Sequence, residues 1–139
     1  MSLIKTINFD ILGDARGSLV SLEGSKNIPF DIRRVYYIFG TQKDVARGFH
    51  AHKQLKQVAV CVKGNCRFIL DDGHHRVSVL LESPSKGLYI DGVTWREMHD
   101  FSEDCVLMVL ASENYDESDY IRDYQEFLEV TRNVSSSPQ

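Results

Sequence analysis

The 139-residue chain carries 16 basic and 20 acidic side chains, which gives a formal net charge of −4. This length favours a single domain, and 42% hydrophobic with 26% charged residues suit an ordinary core rather than a disordered chain. The acidic total argues against general nucleic-acid binding, and no apolar run approaches the ~20 residues that span a bilayer. The N-terminus has no signal-peptide pattern, and three cysteines without a C-x-x-C spacing favour a reduced, cytoplasmic protein.

Charged residues are unevenly distributed along the chain. Residues 97–129 contain eleven acidic side chains and one basic one, Arg122, whereas the other residues contain fifteen basic and nine acidic side chains. The acidic excess therefore belongs to one C-terminal region. The basic remainder can supply a local cationic pocket for a small anionic ligand.

Short strands separated by turns are predicted along most of the chain. Residues 3–8 are strand-like, and segments rich in Val, Ile, Tyr, Phe and Leu follow at 35–39, 57–62, 66–70, 76–81, 87–91, 95–101 and 105–111. Turn signals such as Lys63-Gly64-Asn65 and Asp71-Asp72-Gly73 lie between them. This spacing predicts an all-β sandwich, jelly roll or barrel, in which the three cysteines are expected to act as small core residues.

One amphipathic helix is predicted near residues 117–130. Its apolar stripe at helical spacing consists of Tyr120, Ile121, Tyr124, Phe127 and Leu128. Asp116 or Ser118 can cap the start of this helix. Residues 131–139 are polar and lack periodicity, so we expect a flexible tail or a truncated linker after a single domain at 1–130.

The most distinctive motif is Arg47-Gly48-Phe49-His50-Ala51-His52-Lys53. If this segment is extended, His50 and His52 project from the same face, because side chains alternate along a strand. Two imidazoles can bind a metal, or one can act as a base, while Arg47 and Lys53 can contact a phosphate or an enolate. The alternative is a surface strand whose histidines face solvent.

The chain resembles the cupin (double-stranded β-helix) superfamily and, more closely, the nucleoside-diphosphate-sugar 3,4-ketoisomerases. The similarity extends over residues 4–128 in ordered motifs: Asp14-Ala-Arg-Gly-Ser-Leu, Ile28-Pro-Phe-Asp-Ile-Arg-Arg-Val-Tyr-Tyr-Ile, the His50-x-His52 motif, Gly87-Leu-Tyr-Ile, Trp95-Arg-Glu-Met, Val109-Leu-Ala-Ser and Tyr115-Asp-Glu-Ser-Asp-Tyr-Ile-Arg. The resemblance implies an all-β cupin jelly roll, here with one C-terminal α-helix. It also implies conversion of TDP-4-keto-6-deoxy-D-glucose to a 3-keto-6-deoxy sugar through an enediol.

This resemblance assigns roles to particular side chains. It makes His50 the principal base, while His52 either carries a proton or orients His50. The expected substrate-binding residues are Arg16, Tyr37, Arg47, Lys53 and Arg96. Because period two directs only one of Tyr36 and Tyr37 toward a ligand, choosing Tyr37 places Tyr36 on the opposite face.

The residues of the motif favour metal-free chemistry. Metal-binding cupins supply two histidines, a glutamate and a further histidine, whereas this chain offers Gln57 and Tyr89 near the last two positions. Two histidines leave a divalent ion short of protein ligands, since catalytic zinc sites commonly have three. We therefore expect no metal and no cofactor.

The resemblance further bears on product and partners. Arg16 is typical of family members that form the galacto product and Arg96 of those that form the gluco product, and we expect the galacto product. The resemblance implies a homodimer in which the two chains exchange residues 3–8. It also implies a role in the synthesis of deoxysugars for surface glycans, with a possible fused or partner acyltransferase. The competing hypotheses are a nucleotide-sugar 3,5-epimerase and a non-catalytic sugar-binding cupin.

Overall fold

The computed structural model describes residues 3–135 and contains two facing five-stranded antiparallel sheets. The first sheet, in spatial order, consists of β1 (Lys5–Asn8), β9 (Lys86–Ile90), β6 (Gln57–Lys63), β11 (Val106–Ala111) and β4 (Arg34–Ile38). The second consists of β12 (Tyr120–Ile121), β5 (Arg47–His52), β10 (Trp95–His99), β7 (Cys66–Asp71) and β8 (Arg76–Leu81). A separate hairpin pairs β2 (Leu12–Asp14) with β3 (Gly17–Leu19). The all-β jelly-roll prediction is confirmed.

The central strand β6 shows why the two sheets face each other. Its residues 57, 59 and 61 alternate with residues 58 and 60, and all five are buried. Ala59 and Cys61 belong to the core cluster that also contains Leu107 of the neighbouring strand β11 and Phe68 of the second sheet. Val58 and Val60 instead join a second cluster with Phe9, Ile28 and Phe30, which covers the outer face of the first sheet.

The C-terminal helix differs from the prediction for 117–130. Glu117–Asp119 form a short 3₁₀ helix, Tyr120–Ile121 form β12, and α1 extends over Tyr124–Ser135. The sequence prediction fails at the start because Tyr120 and Ile121 pair with His52 and Ala51 of β5, and these ladder bonds hold them extended.

The helix also continues beyond the predicted boundary at 130. Residues 131–135 form the last part of α1 rather than a tail, and Thr131 among them is buried. Residues 136–139 of the predicted tail lie outside the described residues. Phe127 on the buried face of α1 packs with Ala51, Trp95 and Ile121, which attaches the helix to the second sheet.

The predicted strands from 35 to 111 are all present, with ends that differ from the prediction by at most two residues. Residues 5–8 of the predicted first strand form β1, which pairs with β9 of the same chain. The sequence analysis did not define the hairpin of β2 and β3 or the short β12. Among residues 3–135, no helix is both long and apolar enough to cross a membrane.

Candidate active site

The two histidines of the β5 motif lie side by side at one open end of the sandwich. Their ring centroids are 4.9 Å apart, with the rings nearly perpendicular. Tyr120, which pairs with His52 across the β12–β5 ladder, places its ring 4.3 Å from His52 and 5.0 Å from His50. The prediction that His50 and His52 share one face is confirmed, and His52 is completely buried.

A β-bulge in β5 sets the position of His50. The adjacent residues Arg96 and Glu97 of β10 pair with His50 and Gly48, so that Phe49 is the unpaired extra residue. Phe49 has a φ of 59° and Gly48 a φ of 93°. A Cβ on Gly48 would lie 3.0 Å from the Arg96 carbonyl oxygen, and glycine therefore allows the two strands to approach at this point.

Arg96 lies directly opposite His50 and brings an unpaired charge into the interior. Its side chain is fully buried, and its hydrogen-bond acceptors are neutral: Gln57 Oε1 at 2.5 Å and the Thr94 carbonyl oxygen at 2.9 Å from Nη2. Gln57 Nε2 in turn donates to the Tyr36 hydroxyl at 3.0 Å. Burial lowers the pKa of Arg96 to about 10, so the guanidinium remains a cation at neutral pH.

Both histidines are neutral bases in this environment. Burial, followed by the positive charge of Arg96, lowers the pKa of His50 to about 4. The same two causes, in the same order, lower the pKa of His52 to about 2. Neutral imidazoles at neutral pH can accept protons, which is the state that a general base requires.

Asp119 holds His52 in a defined orientation. The His52 Nδ1 lies 3.0 Å from Asp119 Oδ2, and the same carboxylate accepts hydrogen bonds from the backbone N–H groups of Gln54 and Leu55. Because a carboxylate with these donors acts as an acceptor, we assign the proton of neutral His52 to Nδ1. Its Nε2 is then a bare acceptor, and this buried atom has no hydrogen-bond partner among the described residues.

Two clefts open beside this cluster and share Arg34 and Tyr120. The first has a volume of about 550 Å³ and is lined by His52 together with carboxylates such as Glu113, Asp116 and Asp119. The second, about 440 Å³, is lined by Arg34, Tyr36, Ile38, Arg47, Gly48, His50, Met98, Tyr120 and Arg122. Its three arginines make the second cleft the one suited to an anionic ligand.

The structure includes only some of the predicted binding residues in this site. Arg96 lies in its interior and Arg47 on the rim of the second cleft. Lys53 points away from the clefts, and its ammonium donates to the Ser118 carbonyl oxygen at 3.1 Å, because it follows the inward-facing His52 by one residue. Arg16 lies in the turn between β2 and β3, exposed and paired with Asp14, and lines neither cleft.

The structure brings Tyr36, and not the predicted Tyr37, to the histidine pair, so the role of Tyr37 in substrate binding stays a prediction. Tyr36 lies beside His50 and Gln57, whereas Tyr37 is 61% exposed on the opposite face and contacts Phe39. The alternation of side chains along the strand correctly predicted that the two tyrosines lie on opposite faces. Which of the two faces is buried depends on the position of the other sheet, which alternation does not predict.

Several site residues were not recognised from the sequence. Arg34 shares a face with Tyr36 by period two, and its buried Nε has no hydrogen-bond partner among the described residues. Asp119 and Tyr120 were assigned to a helix, and no local pattern connects them to a histidine 67 residues away. Within residues 3–135, His50 and His52 have no third histidine, cysteine or carboxylate in a common group with donor atoms within 4.8 Å.

The sequence matches the family described as "FdtA: WxcM-like, C-terminal" over residues 2–132. The chain belongs to the FdtA family. A curated relative in Aneurinibacillus thermoaerophilus, a TDP-4-oxo-6-deoxy-alpha-D-glucose-3,4-oxoisomerase, is 60% identical over 123 residues, or 88% of each chain. This FdtA-family chain is therefore an enzyme of the 3,4-ketoisomerase group.

Solved structures agree with this assignment. A histidine-to-asparagine variant of a 3,4-ketoisomerase from Thermoanaerobacterium thermosaccharolyticum, in complex with TDP-4-keto-6-deoxyglucose, has a TM-score of 0.94 at 43% identity over 99% of each chain. A TDP-quinovose 3,4-ketoisomerase from Campylobacter jejuni has a TM-score of 0.88 at 47% identity, over 93% of this chain and 99% of that one.

The charge of Arg96 makes a direct prediction about the two histidines. Neither ring should titrate near neutral pH in the intact protein, and replacement of Arg96 by Gln should raise the pKa of both because it removes a nearby positive charge. The measurement is an NMR titration of the imidazole carbons, with Arg67→Gln on the exposed part of β7 as a matched control. A neutral-range titration of His50 or His52 in the unaltered protein would contradict the assignment.

Proposed function

We propose that this chain converts TDP-4-keto-6-deoxy-D-glucose to a TDP-3-keto-6-deoxy hexose by proton transfer through an enediol, without a metal. The observation that carries the proposal is the pairing of Arg96 with His50 across the β10–β5 ladder. Within the described part of the chain no carboxylate is hydrogen-bonded to this buried cation, which lies opposite a neutral base. The names of the similar proteins support the substrate class.

The reaction begins at His50. Its neutral imidazole removes the proton from C3, and the electrons of that C–H bond form the enediolate as the C4 carbonyl oxygen gains negative charge. The proton of the C3 hydroxyl then moves to the C4 oxygen, and C4 takes up a proton from the His50 imidazolium after its exchange with solvent, which leaves a ketone at C3, a hydroxyl at C4 and a neutral His50. Abstraction beside a ketone is difficult unless the developing oxyanion is stabilised.

Arg96 and Tyr36 supply that stabilisation. The Arg96 guanidinium is held by Gln57 and Thr94 before any substrate binds, so no reorganisation is needed as charge develops on the substrate oxygen. The Tyr36 hydroxyl already accepts a hydrogen bond from Gln57, which leaves its own proton available for an oxygen in the second cleft. These groups act on negative charge, which is greatest in the enediolate.

His52 is the proton carrier in this proposal rather than a purely orienting residue. Its bare Nε2 is buried without a partner among the described residues, and its ring lies against that of His50. Asp119 fixes the tautomer that exposes this lone pair and stabilises the imidazolium formed when the proton arrives. A histidine that only oriented His50 would need a hydrogen bond to it.

The diphosphate of the substrate is assigned to the outer part of the second cleft. Arg34, Arg47 and Arg122 line it, and Arg34 and Arg122 are positioned by the rings of Tyr36 and Tyr120, respectively. Guanidinium groups match the planar oxygens of phosphate well. The sugar then extends inward toward His50, and the volume of about 440 Å³ suits a bound small molecule.

The decisive experiment is incubation with TDP-4-keto-6-deoxyglucose in D₂O followed by NMR. We expect a C3 ketone with deuterium at C4, and a chelator should leave the rate unchanged. His50→Asn should lower kcat by about a hundredfold or more, since a positioned base contributes at least that much. A matched control is His75→Asn, which changes an exposed histidine in the turn before β8.

Other outcomes of this experiment distinguish the alternatives. Exchange at C3 and C5 without migration of the ketone would indicate an epimerase, and tight binding without exchange would indicate a sugar-binding protein. Coupling constants at C4 report the product configuration. We propose the galacto product on the basis of Arg16, whereas Arg96 and the similarity to a TDP-quinovose enzyme favour the gluco product.

Asp119→Asn tests the role of His52. Asparagine can hydrogen-bond either Nδ1 tautomer, so the bare Nε2 is no longer enforced, and we expect kcat to fall by about a hundredfold with KM nearly unchanged. Nitrogen NMR of His52 should show the change in tautomer. The control is Asp116→Asn, which alters the cap of the same 3₁₀ helix while asparagine caps equally well. Normal kcat with a changed tautomer would refute proton transfer through His52.

We also propose that the active form is a homodimer that exchanges its N-terminal segment. The hairpin of β2 and β3 is exposed at every residue, and the apolar side chains of Ile11, Leu12 and Leu19 at its ends are each more than half exposed. Such side chains favour burial against another chain. The β1–β9 pairing would then form between chains in the same register.

Arg16 lies in this hairpin and lines neither cleft of its own chain, so its proposed role requires that it reach a cleft of the second chain. The dimer and the role of Arg16 are therefore tested together. Sedimentation should give a dimer, and Leu19→Asp should weaken it because it introduces a charge into the apolar hairpin. Glu23→Gln, an exposed change beyond the hairpin, is the control. A stable monomer with full activity would contradict the proposal.

A further inference from the structure

The three cysteines of the chain meet at the closed end of the sandwich. Cys61 lies near the end of β6, Cys66 begins β7, and Cys105 immediately precedes β11. All three are free, and each is at most 1% exposed. Cys61 follows Gln57 by four residues on the same inward face, which is about 13 Å along a strand. The cluster is therefore separate from the histidine site.

The spacing of the sulfur atoms fits a single metal ion. The Sγ atom of Cys61 is 3.6 Å from that of Cys66 and 3.9 Å from that of Cys105, and all three lie within 4.8 Å of one another. A point equidistant from the three is about 2.4 Å or less from each, and metal–thiolate bonds are about 2.3 Å long. Little movement of the backbone is needed to coordinate an ion at this point.

We propose that Cys61, Cys66 and Cys105 form a three-coordinate, all-sulfur site for a soft thiophilic cation, of which Cu(I) is the best match. Thiolates select soft ions such as Cu(I) and Zn(II). Structural zinc sites have four protein ligands, and among residues 3–135 no fourth histidine, cysteine or carboxylate completes this group. Binding breaks S–H bonds, forms S–Cu bonds and releases one proton for each thiolate formed, while copper keeps its oxidation state.

A short turn closes over the cysteine cluster. Asn65 and Ser102 exchange two hydrogen bonds, from Ser102 N to the Asn65 carbonyl oxygen and from Asn65 N to Ser102 Oγ, each 2.9 Å long. A Cβ on Gly64, whose φ is 71°, would lie 2.2 Å from Ser102 Oγ, which keeps this closure tight.

The test is an anaerobic titration of the reduced, full-length chain with Cu(I) in competition with bicinchoninate. We expect one ion per chain, a thiolate-to-copper absorption band and an all-sulfur, three-coordinate X-ray absorption spectrum. Cys105→Ala should weaken binding by more than about a hundredfold, because it removes a ligand, and loss of a residue that only hydrogen-bonds to a ligand already lowers metal affinity about tenfold or more. Val79→Ala, which alters packing against the same core cluster without removing a sulfur, is the matched control.

Each remaining outcome decides against the proposal. Failure of the reduced chain to take copper from the chelator, nitrogen ligation that indicates His50 or His52, or equal affinity in Cys105→Ala would overturn it. If Cys105→Ala does not fold, the absorption spectrum of the unaltered chain still identifies the ligands.

Ser102→Ala should speed the uptake of copper, because it removes one hydrogen bond of the closure, and an unchanged rate would refute entry by this route.

Discussion

The burial of the Arg96 charge is the constraint on which the site depends. An arginine enclosed between two sheets with only neutral acceptors is costly, and it persists only when its surroundings hold it firmly. Gln57 and Thr94 provide that support, and Gln57 extends it to Tyr36. The same charge, together with burial, keeps His50 neutral. A neutral imidazole and a buried cation thus lie opposite each other on neighbouring strands.

The two ends of the sandwich differ in polarity although the same strands form both. On β6, the inward-facing residues change from Gln57 at the open end, through Ala59, to Cys61 at the closed end. The open end retains polar groups because it is a cleft in which a ligand can satisfy them. At the closed end, thiols meet in an apolar cluster sealed by a short turn. The site is therefore a polar opening in an otherwise apolar core.

Segments distant in sequence complete the open end. The 3₁₀ helix carries Asp119 to His52, and β12 then lays Tyr120 against both histidines. Phe127 of α1 packs on Trp95 and Ile121, which holds β12 against β5. No described side chain of the helix lines either cleft, but the packing of the helix positions strands that do. The acidic C-terminal region thus supplies the carboxylate that orients His52 and also Arg122, a cation of the second cleft.

Much of this could be predicted from sequence, because the relevant signals are local. Alternation predicted the strands and the common face of His50 and His52, and the ordered motifs indicated the family. Local signals failed where two outcomes had the same pattern. Tyr36 and Tyr37 alternate equally well, and the apolar stripe that includes Tyr120 and Ile121 fits a helix as well as it fits the start of a paired strand. Lys53 was expected in the site because its positive charge flanks the histidines, but alternation directs it to the opposite face from His52.

The sequence by itself determined the strand-rich fold, the histidine pair and the chemistry that the pair suits, because residue type and spacing along a strand express these directly. Only the tertiary structure decided which tyrosine lies beside His50, that Arg34 rather than Lys53 lines the second cleft, and that Asp119 hydrogen-bonds to His52. Those outcomes depend on which strands become neighbours. Burial and hydrogen bonding between the sheets join residues that are tens of positions apart in the sequence, so a short-range sequence pattern does not predict them.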